Sequence, residues 1–251
     1  MCASFDTARE SEAKYHEQFY KENELFESGS WISQPTPLVM ELLQRLLKYT
    51  PAPHVLDLAC GVGRHAIPVA QQLTQGGHVT GVDLLEDAID QLQKYAAKYE
   101  VEDRIQAITH DVENYQIEPD SCDYIIATGC LEHLSSEESF RQVLKQMQAG
   151  TRMGGIHFIS MTSSVQQVEQ DTDKVEEGNI ELNLSTERLL EILDESYAGW
   201  NVLARKAVAQ AIEENKDDKD IELRGNWVTY AVCREPEESR PDRLQQIKPE
   251  E

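Results

Sequence analysis

His54-Val-Leu-Asp-Leu-Ala-Cys-Gly-Val-Gly-Arg64 is the stretch on which the fold turns. An apolar run carries an acid, Asp57, near its end, and a short turn then holds two glycines, Gly61 and Gly63. Beyond Arg64 the pattern is helical. A strand, a glycine turn and a helix in that order bring backbone N–H groups and the positive end of a helix to one crevice. Glycine has no β-carbon, so at Gly61 and Gly63 the backbone can approach a ligand closely. The pair of glycines is common by itself and gains its weight from the strand before it, the helix after it and Asp57. A tight turn without a ligand is the competing reading.

Outward from this stretch, apolar runs and helical periods alternate. Strands are expected at 54–59, 77–83, 104–109, 122–128, 155–162, 200–208 and 226–233, and helices at 64–74, 86–99, 136–149 and 186–195. Pro68 is tolerable in the first of these helices if the helix starts close to Arg64, where a missing N–H costs nothing. Strands alternating with helices of this length predict an α/β fold with a seven-stranded, mostly parallel sheet covered by helices on both faces. The last two strands are joined by a polar stretch, 213–219, within a segment, 213–220, that reads as a solvated loop, and are expected to form an antiparallel final hairpin at the sheet edge. Upstream, residues 9–24 look helical, with Tyr15, Phe19 and Tyr20 on a loosely apolar face, and a loop with Phe26 and Trp31 follows. Thr36 and Pro37 read as the N-cap and first position of a further helix that Pro51 and Pro53 close. The expected organisation is a helical lid segment over 1–35, one domain over 36–234, and a charged, proline-containing, disordered tail over 235–251.

Composition narrows the function. Of 251 residues, 40% are hydrophobic and 27% charged, which suits one sizeable core. No apolar run approaches the ~20 residues of a membrane-spanning helix, and the polar, acid-containing start is unlike a signal peptide. The five cysteines (Cys2, Cys60, Cys122, Cys130 and Cys233) have no metal-knuckle spacing, which suits free thiols in a reducing compartment. The cytoplasm is the expected location, with no membrane partner. A net charge of -23 repels a phosphate backbone, so no nucleic-acid partner is expected.

Later segments carry further acids. Val79-Thr-Gly-Val-Asp83 ends the second strand with a carboxylate placed to accept hydrogen bonds from a ribose diol. Asp83 also suits a helix N-cap, but a cap alone leaves the preceding glycine turn without a purpose. Together the two segments imply a nucleotide-containing ligand. After the third strand, Thr109-His-Asp-Val112 presents an acid to an exocyclic amine such as adenine N6. Asp123-Tyr-Ile-Ile-Ala-Thr-Gly-Cys-Leu-Glu-His-Leu134 ends a strand in small residues and then exposes Glu132 and His133 near the crevice. Gly150-Thr-Arg-Met-Gly-Gly155 is a glycine turn feeding the next strand.

In this order and spacing the five segments resemble the class I S-adenosylmethionine-dependent methyltransferases over roughly 36–233. The resemblance implies a Rossmann-like sheet, S-adenosyl-L-methionine as cofactor, and methyl transfer. Residue by residue, Asp57, Gly61 and Gly63 match the motif that holds the methionine moiety. Asp83 matches the ribose acid with Leu84 beside the adenine, and Asp111 and Val112 match the adenine-edge contacts. Ala59 stands where the family's first glycine is usual, and Met153 where its proline is. The N-terminal helix, Trp31 and the Gly63-Arg64 continuation are similar to the tellurite-resistance-type bacterial methyltransferases. A dinucleotide dehydrogenase shares the glycine logic, but the segment from Asp123 to Leu134 favours the methyltransferase.

Methyl transfer from a sulfonium is an in-line displacement that needs mainly alignment in a dry pocket. Where the acceptor must lose a proton, His133 is the candidate catalytic base, since an unperturbed imidazole titrates near neutrality. A capping or packing role is its alternative. Some relatives hold a metal with a Glu-x-x-Glu-His cluster, but Gly129 occupies the first acid's place, so no metal is expected. Cys130 suits a soft acceptor such as a thiol or a metalloid oxyanion. The expected partner is a small-molecule methyl acceptor. The alternative is a non-catalytic S-adenosylmethionine-binding sensor. The sequence leaves open the oligomeric state and whether the N-terminal aromatics form a lid or plain core.

Overall fold

β1, His54–Leu58, lies inside a parallel sheet, and four of its five residues are buried on one face or the other. A computed structural model describes residues 5–74, 76–169, 174–178, 180–216 and 219–235. Burial on both faces explains why β1 and β4 (Cys122–Thr128) read as continuous apolar runs rather than alternating ones. β1 pairs in parallel with β2 (His78–Asp83) on one side and with β4 on the other. β3, Ile105–Thr109, extends the sheet beyond β2, and β5, Thr151–Glu169, lies beyond β4. The full order is β3-β2-β1-β4-β5-β8-β7, with β7 at Asn201–Lys216 and β8 at Lys219–Cys233. The chain leaves β1 to one side and returns for β4 on the other. That reversal opens a crevice at the carboxyl ends of β1 and β4, where open α/β sheets bind ligands.

Helices cover both faces. α2 (Pro37–Leu47), α3 (Ala66–Gln72) and α4 (Glu86–Lys98) pack with Val55, Val79 and Tyr124 in one core. α5 (Glu137–Gly150) and α6 (Thr186–Ser196) pack with Leu56, Leu58 and Ile125 in the other. Thr36 and Pro37 start α2 as expected, although the Thr36 side chain makes no capping bond. Pro68 is the third residue of α3, among the N–H groups that have no partner within a helix in any case. α1 spans Phe5–Glu22.

The structure departs from the expectations at the sheet's last strands. β5, β7 and β8 are much longer than their apolar runs, and together they form an arm. Residues 213–216 continue β7 and 219–220 begin β8, so the stretch read as a solvated loop is mostly strand. The two strands do pair antiparallel, with β7 at the edge. An eighth strand among the described residues, β6 (Lys174–Glu177), pairs with the outer end of β5, where all four of its own residues are exposed. Hydrophobic period reports burial, and it fades along an arm that solvent reaches. The glycine turn expected at 150–155 lies at the start of β5, where the register with β4 slips. There Arg152 bonds Asp123 at 2.7 Å, at the end of the sheet opposite the crevice. Of the tail expected over 235–251, residues 236–251 lie outside the described residues.

Candidate functional site

The turn after β1 is wound left-handed at three points: Ala59 (φ 53°), Gly61 (φ 51°) and Gly63 (φ 100°). Ala59 adopts there a conformation that costs an L-residue about 1–2 kcal/mol, which accounts for the glycine the related motif carries. The two glycines serve different ends. A β-carbon on Gly61 would stand 2.6 Å from the Tyr20 hydroxyl, so α1 closes directly on this turn. A β-carbon on Gly63 would meet Leu92 at 2.6 Å and Ile67 at 2.9 Å. Gly63 therefore lets α3 and α4 pack together and does not border the crevice, contrary to its reading as a point of ligand approach.

Asp83 ends β2 beside this turn. Its Oδ2 accepts the Gly61 N–H at 2.8 Å and its Oδ1 accepts the Leu85 N–H at 2.9 Å. Each oxygen keeps acceptor capacity for a hydroxyl of a ligand. Burial pushes its carboxyl above the usual range, and the N–H groups of Leu85 and Gly61 oppose that. Asp57 alternates to the α3 side of β1 and is buried below the turn, with Oδ2 unpartnered among the described residues. Burial, and then the nearby Asp83 charge, push it up to about 8. It does not line the cavity.

The cavity at the crevice holds about 1260 Å³. Gly61, Asp83, Leu84, Asp111 and Val112 line it, and so does His133. The Asp111 carboxylate already accepts the Glu113 N–H at 3.0 Å and meets Arg9 of α1 at 2.7 Å. Tyr15, Tyr20 and Trp31 face the same space. Phe26 instead packs on Tyr99, ring centroids 5.4 Å apart, as plain core.

Glu132, His133 and Glu181 line the same cavity. Glu132 is buried rather than exposed near the crevice, and its Oε1 accepts the Thr162 N–H at 3.0 Å. The His133 Nδ1 lies 2.9 Å from Glu181 Oε2, and its Nε2 lies 3.9 Å from Glu12 of α1. Burial works against the imidazolium. The hydrogen bond to Glu181 and the charges of Glu132, Glu12 and Glu181 outweigh it and carry His133 up to about 9. At neutral pH the ring holds its proton, so the reason for naming it a base fails. Burial holds the Cys130 thiol well above its ordinary value, with the Glu132, Asp83, Asp57 and Asp111 charges adding to the effect. A thiolate there to meet a soft acceptor is not favoured.

Sequence reasoning missed Arg9, His16, Thr128 and Glu181, all of which line the cavity. Glu181 comes from a segment with no motif, brought in when the Leu182 N–H donates to the Glu132 carbonyl at 2.9 Å. Thr128 ends β4 inside the Asp123–Leu134 segment, but its residue type carries no signal. Four cavity-lining residues carry a buried polar atom without a partner among the described residues: His16 Nδ1, Thr128 Oγ1, Glu132 Oε2 and Glu181 Oε1.

Residues 55–155 match a family model described as a methyltransferase domain. A curated relative, phosphoethanolamine N-methyltransferase 2 of Caenorhabditis elegans, is 28% identical over 119 residues, 45% of this chain and 26% of its own. TehB from Haemophilus influenzae shares the fold with a TM-score of 0.54 at 19% identity, over 80% of this chain and 64% of its own. An S-adenosylmethionine-dependent methyltransferase of Methanosarcina mazei does so with a TM-score of 0.53 at 12% identity, over 80% of this chain and 99% of its own. The chain thus spans about a quarter of the curated relative's length and under two thirds of TehB's. The free acceptor capacity of Asp83 and the turn at Gly61, both on one large cavity, fit a nucleoside-bearing cofactor. The sheet order and the switch point are those of the fold shared with these structures, and the matched segment is that of a methyltransferase domain, which implies S-adenosyl-L-methionine as cofactor.

Proposed function

We propose that this chain transfers a methyl group from S-adenosyl-L-methionine to a small-molecule acceptor inside the cavity beneath α1. The observation that carries the reading is that one cavity is lined both by the glycine turn with Asp83 and by Glu132, His133 and Glu181, and that α1 meets both groups, through Tyr20 at Gly61 and Glu12 near His133. The cavity's volume of about 1260 Å³ exceeds the about 300–1,000 Å³ usual for one small ligand, so donor and acceptor fit together.

In this reading Asp83 accepts from the ribose hydroxyls, Leu84 packs on the adenine, and Asp111 and Val112 meet the adenine edge. Arg9 shares the Asp111 carboxylate. Gly61 gives the methionine moiety a backbone surface, while Asp57 and Gly63 shape the turn from behind. The cofactor supplies an electrophilic methyl on a sulfonium. The chain's own task is to orient the acceptor and exclude water. Residues 1–35 act as the lid: α1 is tied over the cavity by Arg9 to Asp111 and by Tyr20 on the Gly61 turn. Residues 36–234 form the catalytic domain. His133 serves as a fixed positive charge among carboxylates rather than as a base. A net charge of -23 disfavours nucleic acid as acceptor.

The test is a tritium-methyl assay on a small-molecule pool, nucleic acid and basic protein in parallel. Label in the small-molecule fraction supports the reading. Label entering a macromolecule faster overturns the acceptor class. Cofactor binding with no label anywhere favours a non-catalytic sensor.

A further inference from the structure

Resting on that reading, we infer that the acceptor end of the cavity is built for an amine: Thr128, Glu132 and Glu181 form a recognition site for a nitrogen carrying several N–H donors.

A fold seldom leaves buried polar atoms unpartnered, because each costs the desolvation of a group that makes no bond. Half of the unpartnered buried atoms among the described residues belong to residues that line the cavity: His16 Nδ1 on α1, and three acceptors from the sheet side. Glu132 Oε2, Glu181 Oε1 and Thr128 Oγ1 are all buried, and all belong to residues that line the cavity. The Glu132 and Glu181 side chains are each about 2% exposed. In each carboxylate the other oxygen is engaged: Glu132 Oε1 by the Thr162 N–H at 3.0 Å, Glu181 Oε2 by His133 Nδ1 at 2.9 Å. The side chains are therefore held in place while one buried oxygen of each has no partner among the described residues.

The chemistry of the free atoms selects the ligand. Two are carboxylate oxygens, which only accept when ionised, and the third is a hydroxyl. An anionic acceptor would find carboxylates here, with the nearby cation, His133, already engaged by Glu181. An alcohol or a phenol has one O–H and satisfies one of the three. A primary ammonium carries three donors and a compensating charge. Tyr15, Tyr20, Trp31 and Trp227 line the same cavity, and aromatic faces attract an organic cation.

For transfer the nitrogen must shed one proton, which a free carboxylate oxygen accepts and passes to solvent. The nitrogen lone pair then forms the N–CH₃ bond as the S–CH₃ bond of the sulfonium breaks to a thioether. The product is a protonated methylamine, and atoms and charge balance.

Calorimetry on protein saturated with S-adenosylhomocysteine tests the inference without relying on turnover. The probes are two amines, ethanolamine and 2-phenylethylamine, with ethylene glycol and 2-phenylethanol as counterparts. At least one amine is expected to bind about tenfold or more tighter than its counterpart, the scale of one charged hydrogen bond. In Glu132→Gln and Glu181→Gln that preference should fall to near one while S-adenosylhomocysteine affinity stays unchanged. In Glu132→Gln the side-chain amide carbonyl can keep the Thr162 bond, and thermal melts of both variants check folding. Equal binding of amines and counterparts, binding of neither, or a preference that survives in both folded variants overturns the amine site. Failure of S-adenosylhomocysteine to bind the wild type is a different result and defeats the methyltransferase reading itself.

Discussion

Asp57→Asn isolates the energetic effect of a buried carboxyl beneath the cofactor turn. Asp57 is 1% exposed, and burial with the nearby Asp83 charge raises it from 3.8 to about 8. The folded-state value lies above the unfolded one, so the folded chain holds this proton longer. Stability from this group is fully present below about pH 4 and is lost as pH rises to about 8. At about 1.4 kcal/mol per pH unit the total reaches roughly 6 kcal/mol, an upper figure for the wild type above pH 8. Asparagine cannot ionise. Its carbonyl can still accept the Ala66 N–H that Asp57 accepts, so its own cost is constant with pH. Urea unfolding of both proteins at pH 5, 7 and 8.5 should show the variant gaining on the wild type by about 3 kcal/mol from pH 5 to pH 7, and levelling off above 8. Burial drives His65 and His157 down to about 3, which weakens the fold as pH falls below 6.5. They titrate alike in both proteins and cancel in the difference. A difference that does not change with pH would refute the buried, protonated Asp57.

Gly61→Ala should set a β-carbon 2.6 Å from the Tyr20 hydroxyl at a φ of +51°. It is expected to cost about 1–3 kcal/mol in stability and to speed hydrogen exchange along α1; exchange in α1 like that of the wild type would separate α1 from the turn. In NMR titration the His133 ring should titrate at about 9, and in Glu181→Gln below that. With the folded value above the unfolded 6.5, its stabilising effect is present below pH 6.5 and lost by about 9. A ring titrating at or below 6.5 in the wild type would contradict the carboxylate cage.

The sheet was legible where burial was complete. β4 was read at its observed bounds because both its faces are covered, and β1 and β2 were read to within a residue. The arm was not, since β6 and residues 205–213 of β7 are held by strand pairing while solvent reaches their side chains. The meeting of Gly61 with Asp83 was readable because backbone geometry dictates it: a glycine turn after a strand and an acid at the tip of the next. Gly63 shows the limit, since the same residue type answers to helix packing as well as to ligand approach. The surroundings of His133 were largely hidden. Glu181 meets His133 from 48 residues away, and no spacing rule links them. The proton on His133 follows from that contact, which a lone histidine in a sequence does not reveal.

Whether the turn at Gly61 and the carboxylate of Asp83 hold an S-adenosyl cofactor is read by calorimetry with S-adenosylhomocysteine. Saturable binding to the wild type is expected, with about ten- to a hundredfold weaker binding to folded Asp83→Ala, the worth of a charged hydrogen bond. That variant also loses the bonds to Gly61 and Leu85, so Asp83→Asn, which keeps an acceptor oxygen, should fall between the two. No heat with S-adenosylhomocysteine or S-adenosylmethionine alongside tight binding of NAD, or unchanged affinity in both folded variants, would contradict this expectation.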